Sequence, residues 1–278
     1  MAKFRTDLHT HSRFSHDGRN TLEEMLASAQ EKGLTFFGVN EHFDGGYKLE
    51  YFPEKWQKEL LRERSVREEY FHHARHLQED YEGVLNVLLG VEFGFDDDET
   101  VQKKYAEFFE KHRPDYAINS VHGVDGKDYC YCSLEEGKEE VYGEYLRLVR
   151  RSLDAPYPYD IVGHIGYVAR YVPFEDRKLC VAEFREQIDD ILTAIIQKDK
   201  ILEINSASKM TEQETLPDYD IVKRYFELGG RKVSFGSDAH FTDRICDKFD
   251  EVTAKLKEIG FTYLTVPCRG EHIKVELL

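Results

Sequence analysis

The sequence predicts an α/β fold in which a parallel sheet closes into a barrel. Short apolar runs alternate with segments of helical periodicity, which is typical of parallel strands joined by crossover helices. Seven such units occur along the 278 residues, and that number favours a closed barrel over an open sheet. The chain contains no internal repeat, low-complexity tract or linker rich in Pro, Gly or Ser. One domain over residues 1–278 is therefore expected.

The apolar runs mark the predicted strands. In chain order they are Phe4–Leu8, Phe36–Val39, Val84–Val91, Tyr116–Val121, Ile161–Gly163, Lys200–Ile204 and Lys232–Phe235. In the first predicted helix, Thr21 and Glu24 form a capping box, and Gly33 is a stop signal. Helical spacing recurs over residues 100–112, 181–199, 216–230 and 249–260. A final strand pair is expected around Phe261–Val266 and Glu271–Leu277.

Two segments interrupt this alternation. Residues Glu54 to Asp80 form a highly charged stretch of helical character between the second and third strands, and we expect a solvated helix there rather than a lid. Residues Asp125 to Asp154 form a second excursion, which is rich in Tyr and Glu.

Potential metal ligands or hydrogen-bonding residues follow every predicted strand. In strand order they are His9, His11 and His16; Glu41, His42 and Asp44; Glu92; His122; His164; Glu203 and Asn205; and Asp238 and His240. In a parallel barrel the carboxyl ends of the strands open on one face, so these side chains should converge. The remaining histidines are expected on the surface, namely His72, His73, His76, His112 and His272.

Imidazoles and carboxylates without neighbouring cysteines suit Zn²⁺, Mn²⁺ or Fe²⁺. His9 and His11 lie two residues apart, so an extended strand points both to the same face. One carboxylate such as Glu92 can bridge two ions, as in two-metal hydrolytic sites. Seven histidines with Glu92 and Asp238 are too many ligands for one ion and enough for two or three.

The net charge of −16 disfavours binding to a nucleic-acid backbone but does not exclude a small anionic substrate. The five cysteines are scattered and odd in number, which favours reduced thiols. No apolar run is long enough to cross a bilayer, and the N-terminus has no apolar signal core. A cytoplasmic location without a membrane partner is expected, and the oligomeric state is left open.

Together the motifs DLHTHS, EHFD, GVEFG, NSVHG, GHIGYVARY, EIN and FGSDAH resemble the polymerase and histidinol phosphatase (PHP) family. Within it the chain looks most like the monofunctional histidinol-phosphate phosphatases. The motifs run from Asp7 to His240, almost the whole chain. The resemblance implies a distorted, TIM-like (β/α)₇ barrel as a single domain.

The resemblance also implies a site for three divalent transition-metal ions, Zn, Mn or Fe. The first ion would be held by His9, His11, Glu92 and Asp238. The second would be held by Glu92, His122 and His164, and the third by His16, His42 and His240. Among these, Glu92, Asp238 and His42 are the expected catalytic residues.

The implied activity is hydrolysis of L-histidinol phosphate to L-histidinol and inorganic phosphate in histidine biosynthesis, with a metal-bridging hydroxide as nucleophile. Phosphate monoesters react very slowly in water, and metals activate water and neutralise phosphoryl charge. The alternatives are a phosphoesterase acting on nucleotides, polynucleotides or another small phosphate ester, and a metal-binding module without catalysis. Every ligand position is filled, which disfavours the module.

Four residues are expected to bind the substrate. Arg170 matches an arginine position of the resembled phosphatases, and its guanidinium suits phosphate oxygens. Lys209 stands near the place of a second family arginine, where it either replaces that arginine with a shifted point charge or leaves the contact unmade. Asn205 and Glu203 are further candidate contacts. For protonation of the leaving group, Asp17, Asp44 and a metal-bound water remain open.

Overall fold

The computed structural model describes residues 4–211 and 213–277. Its strands in chain order are β1 (Thr6–Asp7), β2 (Phe36–Phe43), β3 (Asn86–Gly94), β4 (Tyr116–Ser120), β5 (Gly123–Val124), β6 (Lys127–Asp128), β7 (Ile161–Val162), β8 (Ile201–Asn205), β9 (Val233–Gly236), β10 (Tyr263–Cys268) and β11 (Glu271–Glu276). Its helices are α1 (Leu22–Glu31), α2 (Glu54–Asp80), α3 (Glu99–His112), α4 (Lys138–Ser152), α5 (Val181–Gln197), α6 (Tyr219–Glu227) and α7 (Phe249–Ile259). Every strand and helix predicted from the sequence is present.

Seven of the strands form a parallel sheet in the order β1-β2-β3-β4-β7-β8-β9. The sheet closes because the segment after β1 lies against β9. The backbone N–H of Leu8 donates to the carbonyl of Phe235 at 3.0 Å, and the backbone N–H of Asp238 donates to the carbonyl of His9 at 2.8 Å. Thr10 also forms a parallel bridge with Ala239. The predicted seven-stranded barrel is therefore confirmed.

Two strands continue several residues further than the sequence predicts. Strand β2 runs to Phe43 and β3 to Gly94, and His42 pairs in register with Glu92. The apolar pattern ends earlier because polar ligands replace apolar residues at the open end of the barrel. His42 and Glu92 therefore belong to strands, which fixes their backbones by ladder hydrogen bonds.

Tyr116 fills the barrel interior below the polar end. Its hydroxyl donates to the carbonyl of Leu8 at 2.6 Å and lies 3.0 Å from Asn40 Oδ1. A side chain at Gly38 would place its Cβ 1.9 Å from that hydroxyl, so the tyrosine requires glycine there. Nearly all buried apolar side chains of the described residues form one continuous cluster. This packing gives the functional end a rigid floor.

Helix α2 is not the solvated helix expected from its charge. Leu60, Tyr70, Phe71 and Ala74 are buried, and the Tyr70 hydroxyl donates to the carbonyl of Val39 at 2.9 Å. One face of α2 therefore packs against the barrel while its charged residues cover the other faces.

The five histidines assigned to the surface lie outside the barrel's polar end. His72 and His76 are exposed, and His73 and His272 are partly exposed. His112 differs from the prediction, because its side chain is 9% exposed and packs against Phe71 and Phe108. Among the described residues, no helix combines the length and the apolar character that crossing a membrane requires.

Candidate metal centre

The structure brings the nine predicted ligands together at the carboxyl ends of the barrel strands. They are His9, His11 and His16 after β1; His42 on β2; Glu92 on β3; His122 after β4; His164 after β7; and Asp238 and His240 after β9. Since parallel strands all point their carboxyl ends to one face, residues more than 200 positions apart become neighbours.

Glu92 lies at the middle of the cluster and is fully buried. Its Oε1 is 3.0 Å from Nε2 of both His122 and His164, and its Oε2 is 2.8 Å from Nδ1 of His42. Burial alone would raise the pKa of Glu92, but the surrounding imidazoles of His9 and His122 hold it well below its ordinary value. Each oxygen of this anion therefore faces a different set of imidazoles.

His9, His11 and Asp238 form a second grouping of potential ligand atoms. Asp238 Oδ1 lies 3.8 Å from His9 Nε2 and 3.4 Å from His11 Nε2. Burial would raise the pKa of Asp238, whereas the His11 hydrogen bond and the charge of neighbouring cations hold it well below its ordinary value. Its backbone is left-handed, with φ of 52°, a conformation that Asp and Asn tolerate better than most residues.

Two further groupings share His42: His11, His42 and His240 form one, and His16, Asp17 and His42 form the other. Asp17 Oδ1 is 3.4 Å from His42 Nε2, and Asp17 Oδ2 is 3.0 Å from His240 Nε2. From the sequence Asp17 was only a candidate proton donor. Its position directly after His16 was the signal that could have marked it as a candidate ligand.

Unpaired buried atoms show that this donor set fits metal ions. The ligand atoms His9 Nε2, His11 Nε2, His42 Nδ1, Glu92 Oε2 and His240 Nε2 are buried and form no well-aligned hydrogen bond with a described residue, although Glu92 Oε2 lies 2.8 Å from His42 Nδ1 and His240 Nε2 lies 3.0 Å from Asp17 Oδ2. Buried polar atoms in proteins are nearly always paired, so such a group in one space indicates a missing cationic partner. Burial, with the charges of His42 and His240, holds the pKa of His11 well below its ordinary value, which favours the neutral ring that metals require.

Three outer carboxylates orient the imidazoles. Glu203 lies 2.6 Å from His9 Nδ1, Asp44 lies 2.9 Å from His122 Nδ1, and Glu63 lies 2.8 Å from His16 Nδ1. In each case the other ring nitrogen, Nε2, is not used by the carboxylate and could bind a metal ion in the cluster. Carboxylate–imidazole pairs of this kind are typical of metal sites, where they fix the ring and raise its basicity.

Two of the predicted substrate contacts, Glu203 and Asn205, lie deep in the barrel. Glu203 is buried in the barrel, where it also accepts from the backbone N–H of His164 at 2.6 Å. Asn205 is fully buried and accepts from the backbone N–H of Ala207 at 2.9 Å. Neither is among the residues that line the cavity above the cluster, so their role as substrate contacts stays a prediction.

The cavity opens directly above the cluster. Its lining residues are His16, Asp17, His42, Asp44, Tyr47, Phe52, Trp56, His122, Asp128, Cys130, Tyr131, His164, Tyr167, Arg170, Tyr171, Lys209, Asp238 and His240. The aromatic side chains in this wall were not identified from the sequence, since Tyr and Phe are spread along the whole chain.

Arg170 and Lys209 supply positive charge in this wall. Arg170 is 3% exposed, and its Nη2 donates to the carbonyl of Ala207 at 2.6 Å and to Asp238 Oδ2 at 3.2 Å. Its Nε has no partner among the described residues. Lys209 forms no hydrogen bond or ion pair with any described residue. Both cations are therefore available to an anionic ligand in the cavity.

Residues 7–207 match the PHP domain, which is more than half of the chain. The chain belongs to the PHP family. Among curated PHP relatives, it is 29% identical to a probable histidinol-phosphatase of Clostridium acetobutylicum over 86% of this chain and 88% of the relative. It is also 29% identical to a histidinol-phosphatase of Lactococcus lactis over 92% of this chain and 91% of the relative.

Solved structures agree with this assignment. The histidinol phosphate phosphatase of Lactococcus lactis, complexed with zinc, L-histidinol and phosphate, superposes with a TM-score of 0.81 at 26% identity, covering 97% of this chain and 99% of that one. A putative histidinol phosphatase from Listeria monocytogenes shares the fold, with a TM-score of 0.74 at 21% identity, covering 89% and 99%. The predicted PHP-type barrel and the resemblance to the histidinol-phosphatases are both confirmed.

Proposed function

We propose that this chain is a metal-dependent phosphomonoester hydrolase that converts L-histidinol phosphate to L-histidinol and inorganic phosphate. The observation that carries the proposal is the buried Glu92-centred cluster, whose unpaired ligand atoms lie beneath a cavity lined by Arg170 and Lys209. The zinc, L-histidinol and phosphate named for the similar Lactococcus structure support the same chemistry.

We further propose that the cluster holds three divalent ions, Zn, Mn or Fe. His9, His11, Glu92 and Asp238 would hold the first, and Glu92, His122 and His164 the second. His16, His42 and His240 would hold the third. The ligand atoms lie in overlapping groups that contain all nine of these residues, and Asp17 groups with His16 and His42, so we include it in the third set. When bound, the ions would supply a bridging hydroxide as nucleophile and neutralise charge on the phosphoryl group.

The chain's own residues would bind and position the ester. Arg170 can donate to phosphoryl oxygens through the guanidinium nitrogens that Ala207 and Asp238 do not use, and Lys209 can add a second charge. Glu92, Asp238 and His42 hold the reacting end rigidly, because each side chain is at most 10% exposed and lies close to at least two other cluster residues. The proposed partner is a small-molecule phosphate ester. We propose a single domain over residues 1–278, and the cytoplasmic location stays a prediction.

The second candidate is a PHP-type phosphoesterase acting on nucleotides or another small phosphate ester. Release of inorganic phosphate from L-histidinol phosphate and from a panel of nucleotides, measured with the same metal-replete protein, separates the two. We expect the highest kcat/KM for L-histidinol phosphate. Equal or greater turnover of a nucleotide would overturn the first proposal.

A further inference from the structure

Asp128, at the end of β6, is a buried carboxylate in the cavity wall. The residue is 8% exposed. The Tyr47 hydroxyl donates to Oδ2 at 2.6 Å, the Tyr167 hydroxyl lies 3.3 Å from the same oxygen, and the backbone N–H of Cys130 donates to Oδ1 at 2.7 Å. No cationic side chain of the described residues forms an ion pair with it.

A buried carboxylate without a cation in direct contact is uncommon, because removing a charge from water is costly unless a cation or metal compensates. The Lys209 ammonium in the same cavity wall acts on Asp128 only from beyond ion-pair distance. Hydrogen bonds from neutral hydroxyls and one amide offset part of that cost. An ionised carboxylate accepts about four hydrogen bonds, and three are in place, so capacity remains for one further donor. Since Asp128 lines the cavity, that donor can come from a ligand.

Aromatic rings surround this carboxylate. Tyr47 packs against Phe52 with ring centres 4.9 Å apart, and Phe52 packs against Tyr131 at 5.1 Å. Burial raises the pKa values of the Tyr47 and Tyr167 hydroxyls well above their ordinary range, so both remain neutral donors. Aromatic faces attract cations, and they attract them more strongly when water is excluded.

Tyr167 connects this corner to the metal centre. Its ring centre is 5.2 Å from the rings of both His122 and His164, and its hydroxyl reaches toward Asp128. The Arg170 guanidinium lies over the same ring, 4.9 Å from its centre. The cavity therefore has a cationic wall at the cluster and an anionic, aromatic wall about one tyrosine side chain away.

We propose that Asp128, with Tyr47 and Tyr167, forms a subsite that binds a protonated amino group of the phosphate ester substrate. The inference rests on the proposed function in one respect, since L-histidinol phosphate carries such an amino group beside its phosphate. In this arrangement the phosphate faces the metal centre and Arg170, while the ammonium group donates to the remaining acceptor position of Asp128. The subsite would select amine-bearing esters over esters without an amine.

The test compares three substrates in wild type and in Asp128→Asn: L-histidinol phosphate, the same molecule lacking the amino group, and p-nitrophenyl phosphate. Loss of one charge-assisted hydrogen bond predicts a rise in KM of roughly 10- to 100-fold for L-histidinol phosphate, with little change in kcat. The two substrates without the amine should change less than about twofold. Asp125→Asn is the matched control, because Asp125 is an exposed carboxylate in the same hairpin that does not line this cavity.

An equal effect of Asp128→Asn on all three substrates, or no effect on any, would overturn the subsite. An equal effect on L-histidinol phosphate and its des-amino analogue would also overturn it, since the carboxylate would then act on another part of the molecule. Asn keeps an oxygen for the Cys130 N–H, and thermal melting checks the fold. If this variant does not fold, Tyr47→Phe is the alternative, because it removes one hydrogen-bond donor from the subsite. It should raise KM for the amine-bearing substrate alone, and an equal change in KM for all three substrates would overturn the subsite.

Failure of the proposed function has a different signature. Wild-type protein would then hydrolyse p-nitrophenyl phosphate but not L-histidinol phosphate. In that case 2-aminoethyl phosphate and ethyl phosphate still test the subsite. A preference for the amine that is lost in Asp128→Asn supports it, and equal use of both esters by wild type contradicts it.

Discussion

Glu63, on the long helix α2, holds both the ring and the backbone of His16. Its Oε2 lies 2.8 Å from His16 Nδ1 and accepts from the His16 N–H at 3.0 Å, while Arg67 donates to Oε1 at 2.9 Å. Glu63 is 2% exposed. Burial would raise its pKa, but the contacts with His16 and Arg67 hold that pKa below its ordinary value. The charged segment between β2 and β3 is therefore part of the candidate metal centre.

Replacing Glu63 by Gln should weaken the third metal position selectively. The neutral amide removes the charge that orients His16, and loss of such an outer partner typically costs roughly 10- to 100-fold in metal affinity. Elemental analysis after dialysis against a limiting metal buffer should show a loss of up to one ion per chain. Glu59→Gln, one turn earlier in a partly exposed pair with Arg62, is the control. An unchanged ion count and affinity in Glu63→Gln would contradict this role.

Asp238→Asn should abolish most turnover and leave the fold largely intact. The substitution removes an anion from the first metal position. We expect turnover to fall by at least roughly 100-fold, because mutating a residue that only orients a metal ligand already lowers activity by up to about that factor. Asn also tolerates the left-handed backbone at this position. Phosphate release and thermal melting measure the two effects. Asp243→Asn, at an exposed position nearby, should behave as wild type. Near wild-type turnover of Asp238→Asn in a metal-replete assay would refute the assignment.

Arg170→Met should weaken phosphate binding. Removing a buried guanidinium from the cavity wall predicts a rise of roughly tenfold or more in the inhibition constant of inorganic phosphate. Arg170→Lys should fall between wild type and Arg170→Met, because lysine keeps the charge without the planar fork. Arg185→Met, on an exposed face of α5, is the control. If phosphate inhibits Arg170→Met as well as wild type, Arg170 does not bind phosphate.

Glu41 should make stability depend on pH. Burial raises its pKa to about 7, despite hydrogen bonds from Ser12 and Ser15. A raised carboxyl pKa stabilises the fold fully below the unfolded value of 4.5, and this contribution is lost as pH rises to about 7. Relative to Glu41→Gln, the wild-type free energy of unfolding should fall by up to about 3 kcal/mol over that window.

Urea unfolding of both proteins at several pH values measures this difference. Glu50→Gln, at an exposed position, should show no such trend relative to wild type. A wild-type advantage over Glu41→Gln that grows between pH 4.5 and 7 would contradict the raised pKa.

The nine cluster residues could be predicted because their positions follow from topology. His9, Glu92 and His164 each lie near the end of an apolar run, and a parallel barrel brings all such ends to one face. Depth within the barrel was harder to predict. Glu203 and Asn205 end β8 as the ligands end other strands, yet their side chains are buried below the cavity. Period-two alternation identifies the inward face but not the height of a side chain.

Glu63 and Asp128 were missed for a different reason. A 27-residue charged helix gives little sign of which carboxylate turns inward, because tertiary packing sets its rotation against the barrel. Asp128 lies in a short hairpin whose turn residues carry no strand or helix period. Both carboxylates are defined by contacts with segments distant in sequence, His16 and Tyr167.

The most direct test of the central claim is phosphate release from L-histidinol phosphate by metal-depleted protein, titrated with Zn²⁺, Mn²⁺ or Fe²⁺. The nine-residue cluster predicts negligible turnover without metal and recovery that saturates near two to three bound ions per chain, as expected for a multinuclear site. Full turnover in the chelated protein, or saturation with fewer than about two ions per chain, would contradict the account.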